Sequence, residues 1–292
     1  ARTHNSQTGV QATMGSDRVD RDPPSSGLAI NGHSPTLDAL EWISLARGAG
    51  GDGDPMPLRA VDVQVGRLML IGGIFEQTRL QLRPGAQALD VRLDGPSLAG
   101  HLSVPNADGG TISGQLDRVH WQSSPAAPGA DTAAAPARPQ TGAEDRDPGK
   151  LPPFALDIAD LTFGKVVLGQ AVLRTRPLGN GLNVDTLRFR APDQEIDITG
   201  RWLGKGEGAR TELTAKVRSQ DLGRLMQNLD YAGQLRGGSG QAQLQAAWAG
   251  GPSDFQLGNL RGTLDIAARA GQLLELDPGA GRVLGLLGVA QL

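Results

Sequence analysis

Apolar residues recur at every second position over much of this chain, and this alternation is the feature that most limits the folds available to it. A β-strand points successive side chains to opposite faces, so each alternating run predicts a strand with one apolar face. The runs are Val61, Val63 and Val65; Leu80 and Leu82; Leu89, Val91 and Leu93; Leu182 and Val184; Ile196 and Ile198; and Leu213, Ala215 and Val217. Most of the ordered chain is therefore expected to be β-sheet.

Turn-forming sequences separate these runs, as at Pro84-Gly85, Asp94-Gly95-Pro96 and Gly179-Asn180-Gly181. The composition agrees, since the chain holds 42 Gly and 19 Pro and only 3% aromatic residues. Strands joined by such short connections pair antiparallel. The predicted fold class is mostly β: an elongated, twisted antiparallel sheet that forms an open groove of a repeating β type, with two or three short helices.

Two polar stretches divide the chain into blocks. Residues 1–26 are rich in Ser, Asp, Arg and Thr and are predicted to be disordered, because they hold too little apolar surface to offset chain entropy. Residues 123–153 are rich in Ala and Pro and are predicted to form a linker or a long surface loop. The ordered blocks are then expected at 27–122 and 154–292.

Three helices are predicted within these blocks. The first spans 35–46, with Ser34 as its cap and Pro35 at its first position. The second spans 220–230 and carries one apolar stripe. The third spans 278–290 near the end of the chain.

The blocks also share a weak internal repeat. Val61-Asp62-Val63 leading to Leu80-Gln81-Leu82-Arg83-Pro84 resembles Leu156-Asp157-Ile158 leading to Leu173-Arg174-Thr175-Arg176-Pro177. Repetition of this kind is typical of extended sheets in which each repeat packs against the repeats next to it.

Charge and residue usage argue against several functions. The formal net charge of −3 lacks the basic excess that a nucleic acid partner requires. Cysteine is absent, and the four histidines, His4, His33, His101 and His120, do not stand at metal-ligand spacing. We therefore expect no catalytic residues, no metal and no cofactor. The sequence also holds no apolar run long enough to span a membrane and no leader peptide, so any membrane anchor is expected outside this segment.

The apolar strand face is the remaining candidate functional feature. Every antiparallel sheet buries one face, so alternation by itself favours a plain core. The few short helices leave a long sheet sparsely covered, which favours an open groove instead. The residues predicted to line that groove are Leu68, Leu70, Leu80, Leu82, Leu89, Val91, Leu93, Leu187, Phe189, Ile196 and Ile198.

Several stretches resemble the C-terminal part of the AsmA-like YhdP family. They are Leu151-Pro152-Pro153-Phe154-Ala155-Leu156-Asp157-Ile158, Gly200-Arg201-Trp202, Ser219-Gln220-Asp221-Leu222-Gly223, Trp248-Ala249-Gly250-Gly251-Pro252 and Gly271-Gln272-Leu273-Leu274-Glu275-Leu276-Asp277-Pro278-Gly279-Ala280-Gly281-Arg282-Val283-Leu284-Gly285-Leu286-Leu287. The first half is similar more loosely, through Leu37-Asp38-Ala39-Leu40-Glu41-Trp42.

The resemblance implies one segment of a very large Gram-negative envelope protein, anchored in the inner membrane by a helix outside this chain and facing the periplasm. Its repeated β segments are expected to form a hydrophobic groove that carries phospholipid toward the outer membrane. The implied partners are phospholipid acyl chains and the rest of the same parent chain, and the segment is expected to stop inside a domain. The family offers no catalytic residues.

Two other functions stay open from sequence. A structural or assembly module of the envelope would close the same sheet on itself and bind no lipid. An envelope hydrolase with a dispersed active site would require a compact pocket with convergent polar groups.

Overall fold

The structure, a computed structural model, describes residues 2–4, 7–19, 21–46, 57–70, 73–123, 147–164, 166–228, 235–254, 259–270 and 272–273. Its strands are β1 (Arg2–His4), β2 (Gln7–Met14), β3 (Gly27–Asp38), β4 (Leu58–Leu70), β5 (Gly73–Pro84), β6 (Ala88–Asp94), β7 (Leu98–Pro105), β8 (Ile112–Ser123), β9 (Phe154–Phe163), β10 (Val166–Leu178), β11 (Gly181–Ala191), β12 (Gln194–Leu203), β13 (Arg210–Ser219), β14 (Leu235–Arg236), β15 (Ser239–Ala249), β16 (Arg261–Arg269) and β17 (Gln272–Leu273). Its helices are α1 (Ala39–Ala46), α2 (Leu222–Asn228) and short 3₁₀ turns at Pro148–Lys150, Gly206–Gly208 and Pro252–Asp254. The predicted mostly-β fold class is confirmed.

The chain divides into two compact units. Unit 1 comprises Ala1–Arg138 and Pro152–Gly164, and unit 2 comprises Pro139–Leu151 and Lys165–Leu292. β1 to β9 lie in unit 1, and β10 to β17 lie in unit 2.

In unit 1 the strands pair in chain order from β1 to β9. Most pairs are antiparallel, as predicted, but β2–β3, β3–β4 and β8–β9 are parallel. β4 and β9 are the first strands of the two predicted repeats, and each pairs in parallel with the strand that precedes it in the sheet. The two repeats therefore begin with the same kind of strand pairing.

A further pairing closes part of the unit 1 sheet. β5 has 12 residues while β6 has only 7, so β6 pairs with Arg79–Pro84 and leaves the first part of β5 unmatched on that side. Gly73 and Ile74 at that end pair with Ser123 and Gln122 of β8. β5, β6, β7 and β8 thus form a ring of pairings that turns their apolar side chains toward one another.

Helix α1 completes the unit 1 core. It contacts β4 and β5, and Trp42 and Ile43 pack against the core cluster. The fully buried members of that cluster include Phe75, Leu68, Leu80, Leu82 and Val63, all at 0% exposure. Unit 1 therefore has a closed hydrophobic core.

In unit 2, β10, β11, β12, β13, β15 and β16 pair in chain order, and every adjacent pair is antiparallel. β14 and β17 form a separate two-stranded antiparallel sheet. Helix α2 contacts β14. Among the described residues of both units, no helix is long and apolar enough to cross a membrane.

The prediction of a disordered 1–26 was wrong for its first half. β2 pairs in parallel with β3, with Val10 opposite Leu28 and Ala12 opposite Ile30. Residues 7–14 contain neither proline nor a charged residue, whereas the charges and prolines cluster between Asp17 and Pro24. The described residues from Gly15 to Ser26 form turns, bends and irregular chain.

The predicted start of the first helix was also wrong. Ser34, Thr36 and Leu37 are strand residues that pair with Val65, Arg67 and Leu68 of β4. The helix begins at Ala39 because Asp38 is its cap, with its carboxylate accepting the Glu41 backbone N–H at 3.3 Å. Leu37 stays in the strand, where it is only 4% exposed.

The second predicted block begins at 154, eleven residues before Lys165, where the chain enters the main part of unit 2. β9 pairs in parallel with β8, placing Phe154 opposite Ile112 and Phe163 opposite Trp121, so it belongs to unit 1. Within the predicted linker 123–153, Ser123 ends β8 and Pro148–Lys150 form a 3₁₀ turn. The Ala/Pro-rich part at 124–146 lies outside the described residues.

The second predicted helix exists but starts at Leu222, not at 220. Asp221 caps it by accepting the Arg224 backbone N–H at 2.9 Å. Residues 229–230 of that prediction, and the whole predicted helix at 278–290, lie outside the described residues.

Candidate functional site

The residues predicted to line a groove fall into two groups with different environments. Those in unit 1 lie in its core: Leu68, Leu80 and Leu82 at 0% exposure, Leu89 at 1%, Val91 at 2% and Leu93 at 3%. Leu70 beside them is half-buried. The six buried side chains present no surface to a ligand in this structure.

The predicted residues in unit 2 remain half-buried, namely Leu187, Phe189, Ile196 and Ile198. They stand in direct register on β11 and β12, with Leu187 opposite Ile198 and Phe189 opposite Ile196. Cross-strand partners in register lie on the same face of a sheet. The four side chains therefore form one apolar patch.

This patch continues in both directions as two apolar rows that cross the whole unit 2 sheet. Row 1 is Leu173, Leu187, Ile198, Ala215, Leu244 and Leu264. Row 2 is Ala171, Phe189, Ile196, Val217, Ala242 and Ile266. Neither row contains a charged or polar side chain.

Burial along the rows shows how far this face is covered. Only the small residues Ala171 and Ala215 are buried, at 2% and 7% exposure. The rest are half-buried on β10 to β15, and the rows end on β16 with Leu264 at 44% and Ile266 at 52% exposure. Unit 2 thus keeps apolar side chains accessible where unit 1 encloses them.

The opposite face of the unit 2 sheet is charged and internally paired. The ion pairs on this face are Arg176–Asp185 at 2.8 Å, Arg190–Glu195 at 3.0 Å, Arg218–Glu195 at 3.1 Å, Arg201–Glu212 at 2.6 Å, Arg210–Glu212 at 2.7 Å, and Arg188–Asp197. A further pair, Arg224–Asp193 at 3.2 Å, joins helix α2 to the turn between β11 and β12. Exposed pairs of this kind add little stability. They do fix which face of each strand stays in water, because a slip of one residue would bury the whole charged set.

Three of the described groups have clearly shifted pKa values, two in unit 1 and one in unit 2. In unit 2 the hydrogen bond to Asp197 raises the pKa of Arg188 above its usual value. In unit 1 the hydrogen bond from Arg79 to Asp62 lowers the pKa of Asp62 and raises the pKa of Arg79. All three shifts come from cross-strand ion pairing, and each favours the charged form.

A depression of about 620 Å³ in unit 2 is lined by both charged and apolar residues. The charged ones include Arg201, Glu212 and Arg261, and the apolar ones include Val184 and Leu213. Glu212 is held between two arginines, so it is not a free general base.

The histidines do not converge on a site in the described residues. His33 and His101 are exposed, and His120 contacts Asp160 at 2.7 Å on the surface of unit 1. Nor do the described residues contain a cluster of His, Asp or Glu that could hold a metal ion. The structure brings none of the histidines to the unit 2 sheet.

Sequence reasoning missed several members of the two rows. Leu244 lies in Gln241-Ala242-Gln243-Leu244-Gln245, where the alternation with glutamine is weak because the other apolar residue is alanine. In β16 the only large apolar residues are Leu264 and Ile266 at its centre. The signal was present as period-two spacing, but alanine and glycine diluted it. Register across the sheet, not apolar content, identifies these positions.

Comparison with known proteins gives one match. The family model described as YhdP protein matches residues 3–292. No curated protein and no solved structure matches the chain.

Proposed function

The chain belongs to the YhdP protein family, and from that premise we propose that it is a non-enzymatic segment of a bridge-like envelope protein that conducts phospholipid between the inner and outer membranes. In this proposal it lies in the periplasm as part of a protein anchored in the inner membrane, and it contributes to outer-membrane integrity. Its partners are phospholipid acyl chains and the rest of the same parent chain.

The observation that carries the proposal is the accessible apolar face of unit 2. Two uncharged rows cross six strands in register, and their larger side chains stay half-buried or exposed. Adjacent strands lie about 4.8 Å apart, so the rows extend for about 24 Å. That length is comparable to the apolar part of a lipid, and it lies across the strands.

The physical chemistry of this face suits lipid without a specific binding step. Each buried methylene of an acyl chain contributes about 0.8 kcal/mol. Because the rows hold no hydrogen-bonding or charged side chain, no residue would hold a lipid at one place along the rows in preference to another. Head groups would stay at the solvated margin, and binding should be unselective among acyl chains.

Unit 1 has a different role in this proposal. Its ring of β5 to β8 and helix α1 enclose the apolar face, and the predicted lining residues there are 0–3% exposed apart from Leu70. We assign those residues to stability and not to lipid contact. The closed core of unit 1 also favours a second function for that unit, as a structural module that organises envelope partners.

The proposal is tested by lipid capture with a matched pair of variants. The chain is mixed with vesicles of phosphatidylethanolamine and phosphatidylglycerol that contain a fluorescent phospholipid, and the lipid retained after vesicle removal is measured. Ile198→Asp places a charge in row 1, while Thr199→Asp places the same charge on the exposed opposite face. Far-ultraviolet circular dichroism confirms that both remain folded.

We expect the wild-type chain and Thr199→Asp to retain phospholipid, and Ile198→Asp to lose most of it. Equal retention by the two folded variants would contradict lipid binding on the unit 2 face. A wild-type chain that retains no lipid would leave the structural module as the better account.

A further inference from the structure

A second, smaller depression in unit 2 lies where three neighbouring strands begin or end. It has a volume of about 340 Å³ and lies at the end of β13, the start of β15 and the end of β16. Its lining includes Arg218, Ser219, Ser239, Gly240, Gln241 and Arg269. We call this depression the rim site.

The rim site begins where row 2 passes through the same three strands. Row 2 contains Val217 of β13, Ala242 of β15 and Ile266 of β16. On each strand the rim-site residues lie within three positions of the row 2 residue, toward the same end of the sheet. A polar site therefore adjoins the accessible apolar face.

The lining of the rim site comes from both faces of the sheet. Successive strand residues point to opposite faces, so Ser219 follows the face of the apolar rows and Arg218 follows the charged face. Arg269 stands opposite Ser239 and also belongs to the charged face. A ligand at this end of the strands can thus reach the arginines and row 2 together.

The chemistry of the rim site suits a phosphate group. Two guanidinium groups meet two hydroxyls and one amide there, and none of the described residues that line it is a carboxylate. Arg218 donates to Glu195 at 3.1 Å through one amino group, and a guanidinium has five N–H donors, so donors remain for a second acceptor. Arginine binds phosphate oxygens with paired N–H donors.

The backbone around the rim site is fixed by packing and hydrogen bonding. The Leu222 backbone N–H at the start of α2 donates to the Gly238 carbonyl, just before β15, at 2.7 Å. A Cβ on Gly240 would lie 2.5 Å from the Ala267 carbonyl oxygen and 2.7 Å from the Leu222 side chain, so only glycine fits there. The strands that carry Arg218 and Arg269 are therefore held close together.

From this arrangement we infer that the rim site binds the phosphodiester of a phospholipid head group whose acyl chains lie on row 2. The inference rests on the lipid binding proposed above and adds a head-group site to it. Arg218 and Arg269 donate to the phosphate oxygens, and Ser239 and Gln241 supply further hydrogen bonds. The rows accept any acyl chain, so recognition of the lipid class comes from the rim site.

The test compares two lipids with the same acyl chains, fluorescent phosphatidylethanolamine and fluorescent diacylglycerol. Phosphatidylethanolamine has no net charge, so a preference for it reports the phosphodiester and not overall charge. Each lipid is offered in vesicles to the full chain, and the retained lipid is measured. Arg269→Gln removes a rim-site cation, and Arg261→Gln is the matched control, because it removes an exposed cation from the opposite end of the same strand face.

We expect wild type and Arg261→Gln to retain phosphatidylethanolamine about tenfold better than diacylglycerol, since hydrogen bonds to a charged group are the strong ones. Arg269→Gln should lower this preference to about threefold or less, and Arg218→Gln should act in the same direction. Circular dichroism checks that each variant is folded.

The outcomes separate this inference from the proposed function. Equal retention of the two lipids by wild type, with both lost in Ile198→Asp, would overturn the rim site and leave acyl-chain binding in place. Retention of neither lipid would overturn both. An equal loss of preference in Arg261→Gln and Arg269→Gln would show a general charge effect and overturn the site. Calorimetry with inorganic phosphate alone is the last arm: binding that Arg269→Gln abolishes, without a preference between the lipids, would reassign the site to a free anion and overturn the head-group assignment.

Discussion

Units 1 and 2 are built from the same kind of strand, yet one encloses its apolar face and the other leaves it accessible. Leu82 in unit 1 is 0% exposed, while Ile198 at a similar alternating position in unit 2 is half-buried. The difference does not lie in the strands themselves. It comes from the ring formed by β5 and β8 and from helix α1, which unit 1 has and the described part of unit 2 lacks.

The comparison shows that alternation specifies an amphipathic sheet but not what its apolar face contacts. In unit 1 that face contacts other strands of the same sheet, so its residues serve stability. In unit 2 the rows end on β16 at exposed Leu264 and Ile266. Substitutions at equivalent positions in the two units should therefore have unequal effects.

The largest difference is expected from a buried charge. Leu82→Asp places a carboxylate in a closed core with no partner, which should cost more than about 4 kcal/mol and unfold unit 1. Ile198→Asp should leave unit 2 folded because its carboxylate can reach water. Hydrogen–deuterium exchange read in β5 and β6, and separately in β11 and β12, distinguishes the two. Comparable loss of protection in both units would contradict the assignment of closed and accessible faces.

A smaller difference is expected when a phenylalanine is truncated in each unit. Phe75 is 0% exposed and makes an edge-to-face contact with Trp121, with ring centroids 5.8 Å apart. Phe75→Ala should cost about 3–5 kcal/mol. Phe189→Ala should cost about 1–2 kcal/mol because that side chain is already partly exposed. Urea unfolding followed by the same exchange measurement gives both values, and a larger loss at Phe189 would reverse the comparison.

Acid should affect unit 1 through Asp62. Its pKa in the folded chain lies below the ordinary 3.8, so its pairing with Arg79 stabilises the fold above that pH and is lost as pH falls through the lower folded value. Asp62→Asn should therefore have a lower urea midpoint than wild type at neutral pH, and this difference in midpoint should disappear at strongly acidic pH. Urea midpoints between pH 2 and pH 7 test this. A difference that stays constant across that range would exclude the proposed ion pairing.

The smallest effects are expected at two backbone positions. Gln77 in unit 1 has φ 50° and Ala270 in unit 2 has φ 58°, both in the left-handed region that favours glycine. Gln77→Gly and Ala270→Gly should each stabilise the chain by about 0.5–1 kcal/mol. Gln77→Ala is the control, since it removes the side chain but keeps the strain. A destabilised Gln77→Gly chain would show that the left-handed conformation carries no cost there.

Much of the fold could be predicted because alternation is local. The strands around Val63, Leu82, Val91 and Ile198 follow directly from residue spacing and turns. β2 was missed because Val10, Ala12 and Met14 form a weak pattern beside a charged stretch, and its place in the sheet comes from pairing with β1 and β3. The start of α1 was missed because proline suits both a helix start and the edge of a strand.

The candidate site was less predictable than the fold. Leu80 is enclosed in a unit where Gly73 pairs with Ser123, 50 positions away in sequence. Leu187 is half-buried in unit 2, where no such pairing occurs among the described strands. No local pattern encodes that closure. The outer members of the rows, Leu264 and Ile266, become visible only through register across the sheet.

The most direct test of the account is photocrosslinking of the wild-type chain to a phospholipid that carries a diazirine in its acyl chain, followed by mass spectrometry of the crosslinked peptides. It requires no substitution and reads both units in one experiment. The account predicts crosslinks on rows 1 and 2 of unit 2, including Leu187, Ile198 and Ile266, and none on the enclosed strands β5 and β6. Crosslinks concentrated on Leu80, Leu82 and Val91, or spread over the charged face of unit 2, would contradict it.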